Sequence, residues 1–397
     1  MNIQISQRIT DTLAAIAPFN QFVTESAWAR RDPDNPEICD FTFGNPHEPP
    51  LPGVVTAFQH WSRPQTDDWY AYHMNETAPR AAVAAGLHTR VGLPFAAEDI
   101  FLTNGAFAAL AVALSAITNP GDEVIFISPP WFFYEAHIVA QGARPVRVQC
   151  DPQTFDLDLA AIEAALSERT RAIIINSPHN PTGKIYPAAT LERLAQLLTS
   201  AGKRNGQPIF LLSDEAYSQI VFDGRQHVSP TRFYPYTLLL YTYGKTLLTP
   251  GQRMGYIALP PTMPQREALR DALVAAQLVT GFAFPNALLQ HALPELDTLS
   301  INIAQLQRKR DWLVTALRDI GYELHVPEGT FYLLVRSPIA DDLAFMERLA
   351  AHNIYCLPGT VAELPGYFRI SLTANAAMIE RALPGFAAAL KQTRSAR

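Results

Sequence analysis

From Ile100 to Pro260 the chain alternates short apolar, β-forming runs with stretches of helical pattern. Six strands are predicted, at residues 123–128, 145–149, 171–176, 209–213, 238–243 and 255–259. Most of these runs are continuously apolar, which is typical of strands buried on both faces of a mostly parallel sheet. Helical patterns such as residues 159–168 and 188–201 lie between them. The alternation predicts an α/β fold with a doubly wound, mostly parallel sheet flanked by helices.

The two ends of the chain have a different pattern. Residues 1 to about 40 read as a helix followed by a loop rich in Pro, Asp and Asn. After Phe284 and Pro285 comes a long helical stretch through residues 302–320, followed by the strand-like segments YELHV, GTFYLLVR and FRISL. We therefore predict a large domain over residues 45–288 and a smaller α+β domain built from residues 1–44 and 289–397.

Charge and apolar content narrow the possible functions. Of 397 residues, 48% are hydrophobic, enough for a sizeable core, and the net charge is −6 without basic runs, which argues against nucleic-acid binding. The N-terminus lacks the basic start and apolar stretch of a signal peptide. The most apolar segment, residues 106–117, is shorter than the about 20 residues that cross a bilayer and is predicted to be a buried helix. We expect no membrane association and a cytoplasmic location.

The three cysteines, Cys39, Cys150 and Cys356, are isolated in sequence. No CxxC pair or Cys/His cluster with the spacing of metal ligands is present, and the histidines also lack such spacing. The sequence therefore predicts reduced thiols and no metal site.

Only five lysines are present, and Lys245 differs from the others in its surroundings. It follows the apolar run 238–243, whereas Lys203, Lys309 and Lys391 lie in polar segments and Lys184 closes the loop NPTGK. A desolvated amine suits Schiff-base chemistry. The alternative is a lysine that simply reaches solvent.

Polar residues follow other predicted strands. Asp214 ends the run IFLLSD, where α/β folds place their ligand sites, although an acid that caps the next helix fits the local pattern equally well. Tyr217 lies about one helical turn further on. The dense loop NSPHNPTGK follows RAIIIN, and Gly105 begins an apolar helix whose free N–H groups are able to bind an anion.

In this order and spacing, Lys245, Asp214, the NPTG loop and the Gly105 helix start resemble the class I/II pyridoxal-phosphate (PLP) aminotransferases of fold type I, the family that includes aspartate aminotransferase. The resemblance runs from FTFGNP to FRISL. It implies that Lys245 binds PLP covalently and then carries protons, and that Asp214 pairs with the pyridinium nitrogen. It also implies that Asn180 and Tyr217 hydrogen-bond the phenolate oxygen of the ring.

The resemblance further implies how the rest of the cofactor is held. Trp131 would stack on the ring face, and Gly105, Ala106, Thr242 and Arg253 would hold the phosphate. Ala106 stands where many family members have Ser or Thr, so that only its amide remains as a donor.

The substrate and a second subunit complete the expected site. The resemblance implies that Arg369 clamps the α-carboxylate of the substrate with a planar fork, together with Asn180. Gly44 would lie in the N-terminal segment that covers this carboxylate. Tyr72 would reach the phosphate of the neighbouring subunit of a homodimer, although the glycine common after that tyrosine is missing here.

These expectations predict an aminotransferase that moves an amino group between an L-amino acid and a 2-oxo acid by a ping-pong mechanism. A PLP-dependent lyase, cyclase or decarboxylase would use the same scaffold. A transcription regulator with an aminotransferase-like effector domain would need a basic DNA-binding segment, and the residues before FTFGNP hold no helix-turn-helix pattern. The substrate stays open, because no second arginine for a dicarboxylate is evident and the aromatic residues 132–134 suit an apolar side chain equally well.

Overall fold

The structure, a computed structural model, describes residues 4–395. In chain order, the strands are β1 (Cys39–Asp40), β2 (Ile100–Thr103), β3 (Glu123–Ser128), β4 (Arg144–Gln149), β5 (Thr170–Asn176), β6 (Phe210–Asp214), β7 (Thr237–Thr242), β8 (Gly255–Ala258), β9 (Leu324–His325), β10 (Tyr332–Arg336), β11 (Ile354–Tyr355), β12 (Leu357–Pro358) and β13 (Tyr367–Ser371).

The helices lie between and around these strands. They are α1 (Gln7–Ala15), α2 (Ala17–Glu25), α3 (Pro52–Trp61), α4 (Thr77–Val91), α5 (Gly105–Ile117), α6 (Tyr134–Ala140), α7 (Leu159–Ala165), α8 (Ala188–Asn205), α9 (Tyr243–Thr246), α10 (Arg266–Val279), α11 (Ala287–Leu296), α12 (Ile303–Ile320), α13 (Asp342–Ala350) and α14 (Ala376–Ser395). Within residues 4–395, none of them combines the length and apolarity needed to cross a membrane.

A seven-stranded sheet with the order β2-β8-β7-β6-β5-β3-β4 forms the centre of the molecule. The pairs β3·β4, β3·β5, β5·β6 and β6·β7 are parallel, whereas β8 runs antiparallel to both of its neighbours. The predicted α/β architecture with a mostly parallel sheet is therefore confirmed.

Both faces of the inner strands of this sheet are buried, as their continuous apolar runs indicate, whereas the edge strand β4 is largely exposed. On β3, Val124 and Phe126 join the apolar cluster that includes residues of α5, α6 and α10. Ile125 and Ile127 point the other way, into the cluster that includes residues of α7 and α8. Because successive strand side chains alternate between faces, a strand covered on both sides has to be apolar at every position.

The six predicted strands are all present, with each end within one residue of its expected position. The strand β2 was not predicted as such, because its four residues read only as a short extended run. The helix expected over residues 159–168 ends at Ala165. The single N-terminal helix is in fact two helices, and Pro18 lies in the first turn of the second, where a proline is tolerated because no backbone N–H is needed.

A second, smaller sheet packs beside the first. Its order is β12-β13-β10-β9 and its pairs are antiparallel. The short strand β1 pairs in parallel with β11, so that residues near the N-terminus join the C-terminal part of the fold. One apolar cluster connects the two parts, because it holds Tyr217 and Phe222 after β6 together with Phe331 and Phe368 of the smaller sheet region.

The loop after β5 contacts the chain segment that leads into β10. The backbone N–H groups of Glu328 and Gly329 both donate to the carbonyl oxygen of Gly183, each at 3.0 Å. Gly183 has a φ of +75°, and a Cβ there would lie 2.7 Å from the Cα of Pro327. Gly206, which ends α8, has a similar φ of +68° but no heavy atom within 4 Å of its Cβ position.

These two glycines form a matched pair for a stability test. Gly206→Ala incurs only the left-handed backbone cost, about 1–2 kcal/mol. Gly183→Ala adds a steric clash with backbone, for a total of about 2–5 kcal/mol. Urea unfolding followed by circular dichroism measures both, and equal losses of unfolding free energy would show that the contact with Pro327 is unimportant.

Candidate active site

The polar residues of the site lie where neighbouring parallel strands end. Asn176 is the last residue of β5, Asp214 is the last residue of β6, and the two are partners in the sheet register. Thr242 ends β7, the next strand. Since carboxyl ends of parallel strands meet at one edge, these residues gather there. Lys245 follows on the one-turn helix α9.

A cavity of about 210 Å³ opens at this edge and extends to the smaller sheet. Ten of the twelve predicted site residues line it: Gly44, Ala106, Trp131, Asn180, Asp214, Tyr217, Thr242, Lys245, Arg253 and Arg369. Gly105 lies just behind the wall, and Tyr72 lies elsewhere. The structure thus brings together residues that are up to 325 positions apart in sequence (Gly44 and Arg369).

Asp214 lines the cavity, and its carboxylate accepts two hydrogen bonds. The hydroxyl of Tyr134 donates to Oδ2 at 2.6 Å, and the backbone N–H of Ala216 donates to Oδ1 at 3.1 Å. Burial nevertheless raises the pKa of Asp214 above its ordinary value. A cationic group placed against this carboxylate would therefore be stabilised, as a protonated ring nitrogen requires.

Lys245 is partly buried between aromatic rings. Its Nζ lies 5.8 Å from the ring centroids of both Tyr217 and Phe331. By contrast, Lys184 lies 3.5 Å from a carboxylate oxygen of Glu328, so the loop lysine is engaged in an ion pair. Lys245 is thus the amine that faces the cavity beside Asp214.

A cradle for an anion forms at the N-terminus of α5. Gly105, the first residue of this helix, has a φ of +82°, and a Cβ there would lie 2.8 Å from Nη2 of Arg253 and 3.3 Å from Oγ1 of Thr242. Ala106 lines the cavity next to it. A guanidinium, a hydroxyl and free helix N–H groups at one point suit a phosphate.

Arg369 on β13 is held in place from several sides and is only 3% exposed. Its Nη1 donates to Oδ1 of Asn180 at 2.8 Å, and its Nη2 donates to the carbonyl oxygen of Thr42 at 2.9 Å. Its guanidinium carbon lies 3.8 Å from the ring centroid of Tyr332. Among the described residues, its buried Nε has no hydrogen-bond partner. The group is a fixed cation suited to a carboxylate ligand.

Comparisons with known proteins identify the family. A profile described as "Aminotransferase class I and II" matches residues 36–386. The chain is 33% identical over 324 residues to aspartate/prephenate aminotransferase of Thermus thermophilus, covering 78% of this chain and 80% of the relative. It is 30% identical to arginine–pyruvate transaminase of Pseudomonas aeruginosa, covering 87% and 88%. The crystal structure of an amino transferase from Eubacterium rectale superposes with a TM-score of 0.89 at 30% identity, covering 98% of this chain and 99% of that one.

The chain belongs to the class I and II aminotransferases. This family consists of PLP-dependent enzymes of fold type I, as the resemblance of the motifs implied. The residues present fit this cofactor. Burial raises the pKa of Asp214, so a cationic ring nitrogen beside it would stabilise its carboxylate. A side chain larger than that of Gly105 would occupy the space between Arg253 and Thr242 in which the phosphate would lie.

One predicted residue of this aminotransferase lies outside the cavity. Tyr72 is 86% exposed, and its ring packs against that of Phe284 at a centroid distance of 4.9 Å. Its expected role concerns a neighbouring subunit and stays a prediction.

Sequence reasoning missed two tyrosines of the site. In the sequence Tyr134 belongs to the aromatic run after Trp131, but in the structure its hydroxyl donates to Asp214. Tyr332 lines the cavity beneath Arg369. Burial would raise the pKa of Tyr332, but the positive charges of Arg369 and Lys245 lower it. The only signal in the sequence is the hydroxyl of Tyr332 at the start of the otherwise apolar run YLLV.

An aromatic cluster surrounds the ring of Trp131. The ring of His137 lies 6.1 Å behind it at an interplanar angle of 24°, and the ring of Phe107 meets it edge-on at 4.8 Å. Burial lowers the pKa of His137 to about 4. At neutral pH this histidine is therefore an uncharged member of the cluster.

The buried histidine predicts a specific acid response. A pKa lower in the folded than in the unfolded state means that stability is lost as the pH falls from about 6.5 toward 4. His137→Phe keeps a ring but does not take up a proton. Between pH 7 and 4.5 the wild type should lose about 2–3 kcal/mol more unfolding free energy than the variant. Urea titrations at the two pH values measure this difference. If the wild type and the variant lose the same unfolding free energy between these pH values, the burial of His137 is contradicted.

Proposed function

We propose that this aminotransferase binds PLP in the cavity and moves an amino group between an L-amino acid and a 2-oxo acid by a ping-pong mechanism. One observation carries the proposal: Lys245, Asp214, Arg369 and the Gly105 cradle border the same cavity. They supply an amine, an acid, a carboxylate site and an anion site, which together match the four polar parts of a PLP–amino acid pair.

The chain would hold the ring of the cofactor through four side chains. Asp214 would keep the ring nitrogen protonated, Trp131 would cover one ring face, and Asn180 and Tyr217 would donate to the phenolate oxygen. When bound, PLP supplies an electron sink that lowers the cost of removing a proton from the α-carbon.

The phosphate would lie in the cradle. Arg253 and Thr242 would contact its oxygens, and the backbone N–H groups at Gly105 and Ala106 would add the favourable field of the helix N-terminus. Because Ala106 has no hydroxyl, its contribution would come from the amide alone.

The chemical step would then rest on the chain's own groups. Arg369 would bind the α-carboxylate with a planar fork, assisted by Asn180, and Gly44 would lie in the segment over it. Lys245 Nζ would take the proton from the α-carbon and deliver it to the former aldehyde carbon of the cofactor, on the other side of the amino nitrogen. The close fit of Gly44, whose Cβ position lies 2.6 Å from the Phe331 ring, supports a tightly packed cover at this point.

A homodimer would complete the site. Tyr72, Leu278 and Val279 are large apolar or aromatic side chains with exposed fractions of 86%, 52% and 80%. Burial of such side chains against a second copy is favourable. We propose that Tyr72 of each subunit thereby reaches the phosphate of its neighbour.

A pair of lysine variants tests the proposed reaction. Lys245→Ala should lower the formation of 2-oxo acid by at least about 10²–10⁴-fold, since the proton carrier is lost. Lys184→Ala, which removes a lysine paired with Glu328, should stay near wild type. The measurement is 2-oxo acid production from a panel of amino acids by the PLP-loaded protein.

Two results would contradict the proposal. One is full activity of Lys245→Ala. The other is release of ammonia or carbon dioxide from the amino acid while no amino donor converts the cofactor to its pyridoxamine form, which would favour a lyase or decarboxylase on this scaffold.

A further inference from the structure

We propose that the amino acid substrate carries a large apolar side chain, which binds against the rings of Phe43, Phe107 and Phe132. This inference rests on the proposed function and specifies the substrate class at the same site. All three residues line the cavity. The exposed fraction of Phe107 is 39%, so part of its ring is open to contact with a ligand.

Other aromatic rings support the apolar wall formed by Phe43, Phe107 and Phe132. The ring of Phe19 on α2 stacks on that of Phe132 with a centroid distance of 4.8 Å and an interplanar angle of 13°. Phe19 also lies 6.2 Å from Phe43, and Trp28 meets Phe43 edge-on at 5.3 Å. The N-terminal helices therefore extend the apolar surroundings beyond the cavity instead of bringing a charge to it.

The positive charges that line the cavity already have other ligands in the proposed function. Among the described residues they are Lys245, Arg253 and Arg369. The first is the amine that binds the cofactor, the second belongs to the phosphate cradle, and the third binds the α-carboxylate. Among the described residues of one subunit, no cation that lines the cavity is left for a second carboxylate. An unpaired carboxylate is strongly disfavoured against an apolar wall.

Nearby cations are engaged elsewhere. Arg31 lies 3.5 Å from a carboxylate oxygen of Asp40, with its guanidinium carbon 3.7 Å from the Trp28 ring centroid. Arg30 pairs with Glu347 at 3.2 Å. His137, behind the wall, is neutral at neutral pH because burial lowers its pKa to about 4.

A cationic side chain is disfavoured for the corresponding reason. Among the described residues that line the cavity, Asp214 is the only one with a carboxylate. In the proposed function this carboxylate pairs with the ring nitrogen of the cofactor. The proposed substrate class therefore differs from the amino acids in the names of two relatives, which are aspartate for the aspartate/prephenate aminotransferase and arginine for the other.

A comparison of amino donors tests the inference. The PLP-loaded protein is mixed with L-phenylalanine, L-leucine, L-aspartate or L-arginine, and the rate of the cofactor absorbance change is measured against concentration. The kcat/KM of the half-reaction for phenylalanine should exceed that for aspartate and arginine by about 10²-fold. Equal or faster reaction with aspartate or arginine would overturn the inference.

A matched pair of variants locates the selectivity. Phe107→Lys places an ammonium on the wall at a half-exposed position, and should lower the phenylalanine-to-aspartate ratio at least about tenfold. Phe107→Leu keeps the wall apolar and should retain a ratio near that of wild type. If Phe107→Lys does not fold, the variants Phe132→Lys and Phe132→Leu take the place of the two Phe107 variants. An unchanged ratio in a folded lysine variant would overturn the inference.

Binding of unreactive acids separates this inference from the proposed function. Calorimetry of the PLP-loaded protein should give a dissociation constant for 3-phenylpropanoate at least about tenfold lower than that for succinate. If no amino acid reacts, transamination fails, yet this difference would still support the apolar subsite. Equal affinity or tighter binding of succinate would contradict it.

Discussion

The side-by-side ends of β5, β6 and β7 determine where the polar groups of the site lie. Parallel pairing of β5 and β6 puts Asn176 opposite Asp214. The next strand, β7, ends at Thr242, and Lys245 lies on the short helix that follows it. The apolar residues of these strands are buried on both faces, and this burial fixes the sheet and hence the edge. The chemistry of the site therefore depends on packing that itself has no chemical role.

Two charged side chains, Asp214 and Arg369, are held at this edge with little access to solvent. Asp214 has hydrogen-bond donors, but burial still raises its pKa, and Arg369 is buried with one nitrogen unpaired within the described residues. Burial of a charge has a free-energy cost that an opposite charge in contact with it offsets. Opposite charges from a cofactor and a substrate would remove that cost, so binding energy would come from groups that are already oriented.

Much of this arrangement could be predicted from the sequence. The apolar runs located six strands within one residue at each end, because strands buried on both faces leave an unambiguous pattern. The Lys245, Asp214 and Gly105 motifs are local, and the residues that carry them do meet at one cavity. Strand β2 and the break at Pro18 were less clear, since short elements carry few residues of pattern.

The contacts between distant segments could not be predicted in the same way. The pairing of Tyr134 on α6 with Asp214 at the end of β6 depends on how that helix packs against the larger sheet. The position of Tyr332 beside Arg369 depends on the pairing of β10 with β13 in the smaller sheet. The same holds for the wall of Phe43, Phe107 and Phe132, whose support by α2 joins separate parts of the chain. Sequence patterns describe one element at a time, and these contacts arise only from their packing.

The covalent attachment of PLP to Lys245 is the central claim, and chemical trapping tests it most directly. The purified protein is supplemented with PLP, reduced with borohydride, digested, and mapped by peptide mass spectrometry. The account predicts a stable pyridoxyl adduct on Lys245 at full occupancy. No adduct, or an adduct mainly on Lys184, Lys203, Lys309 or Lys391, would contradict it.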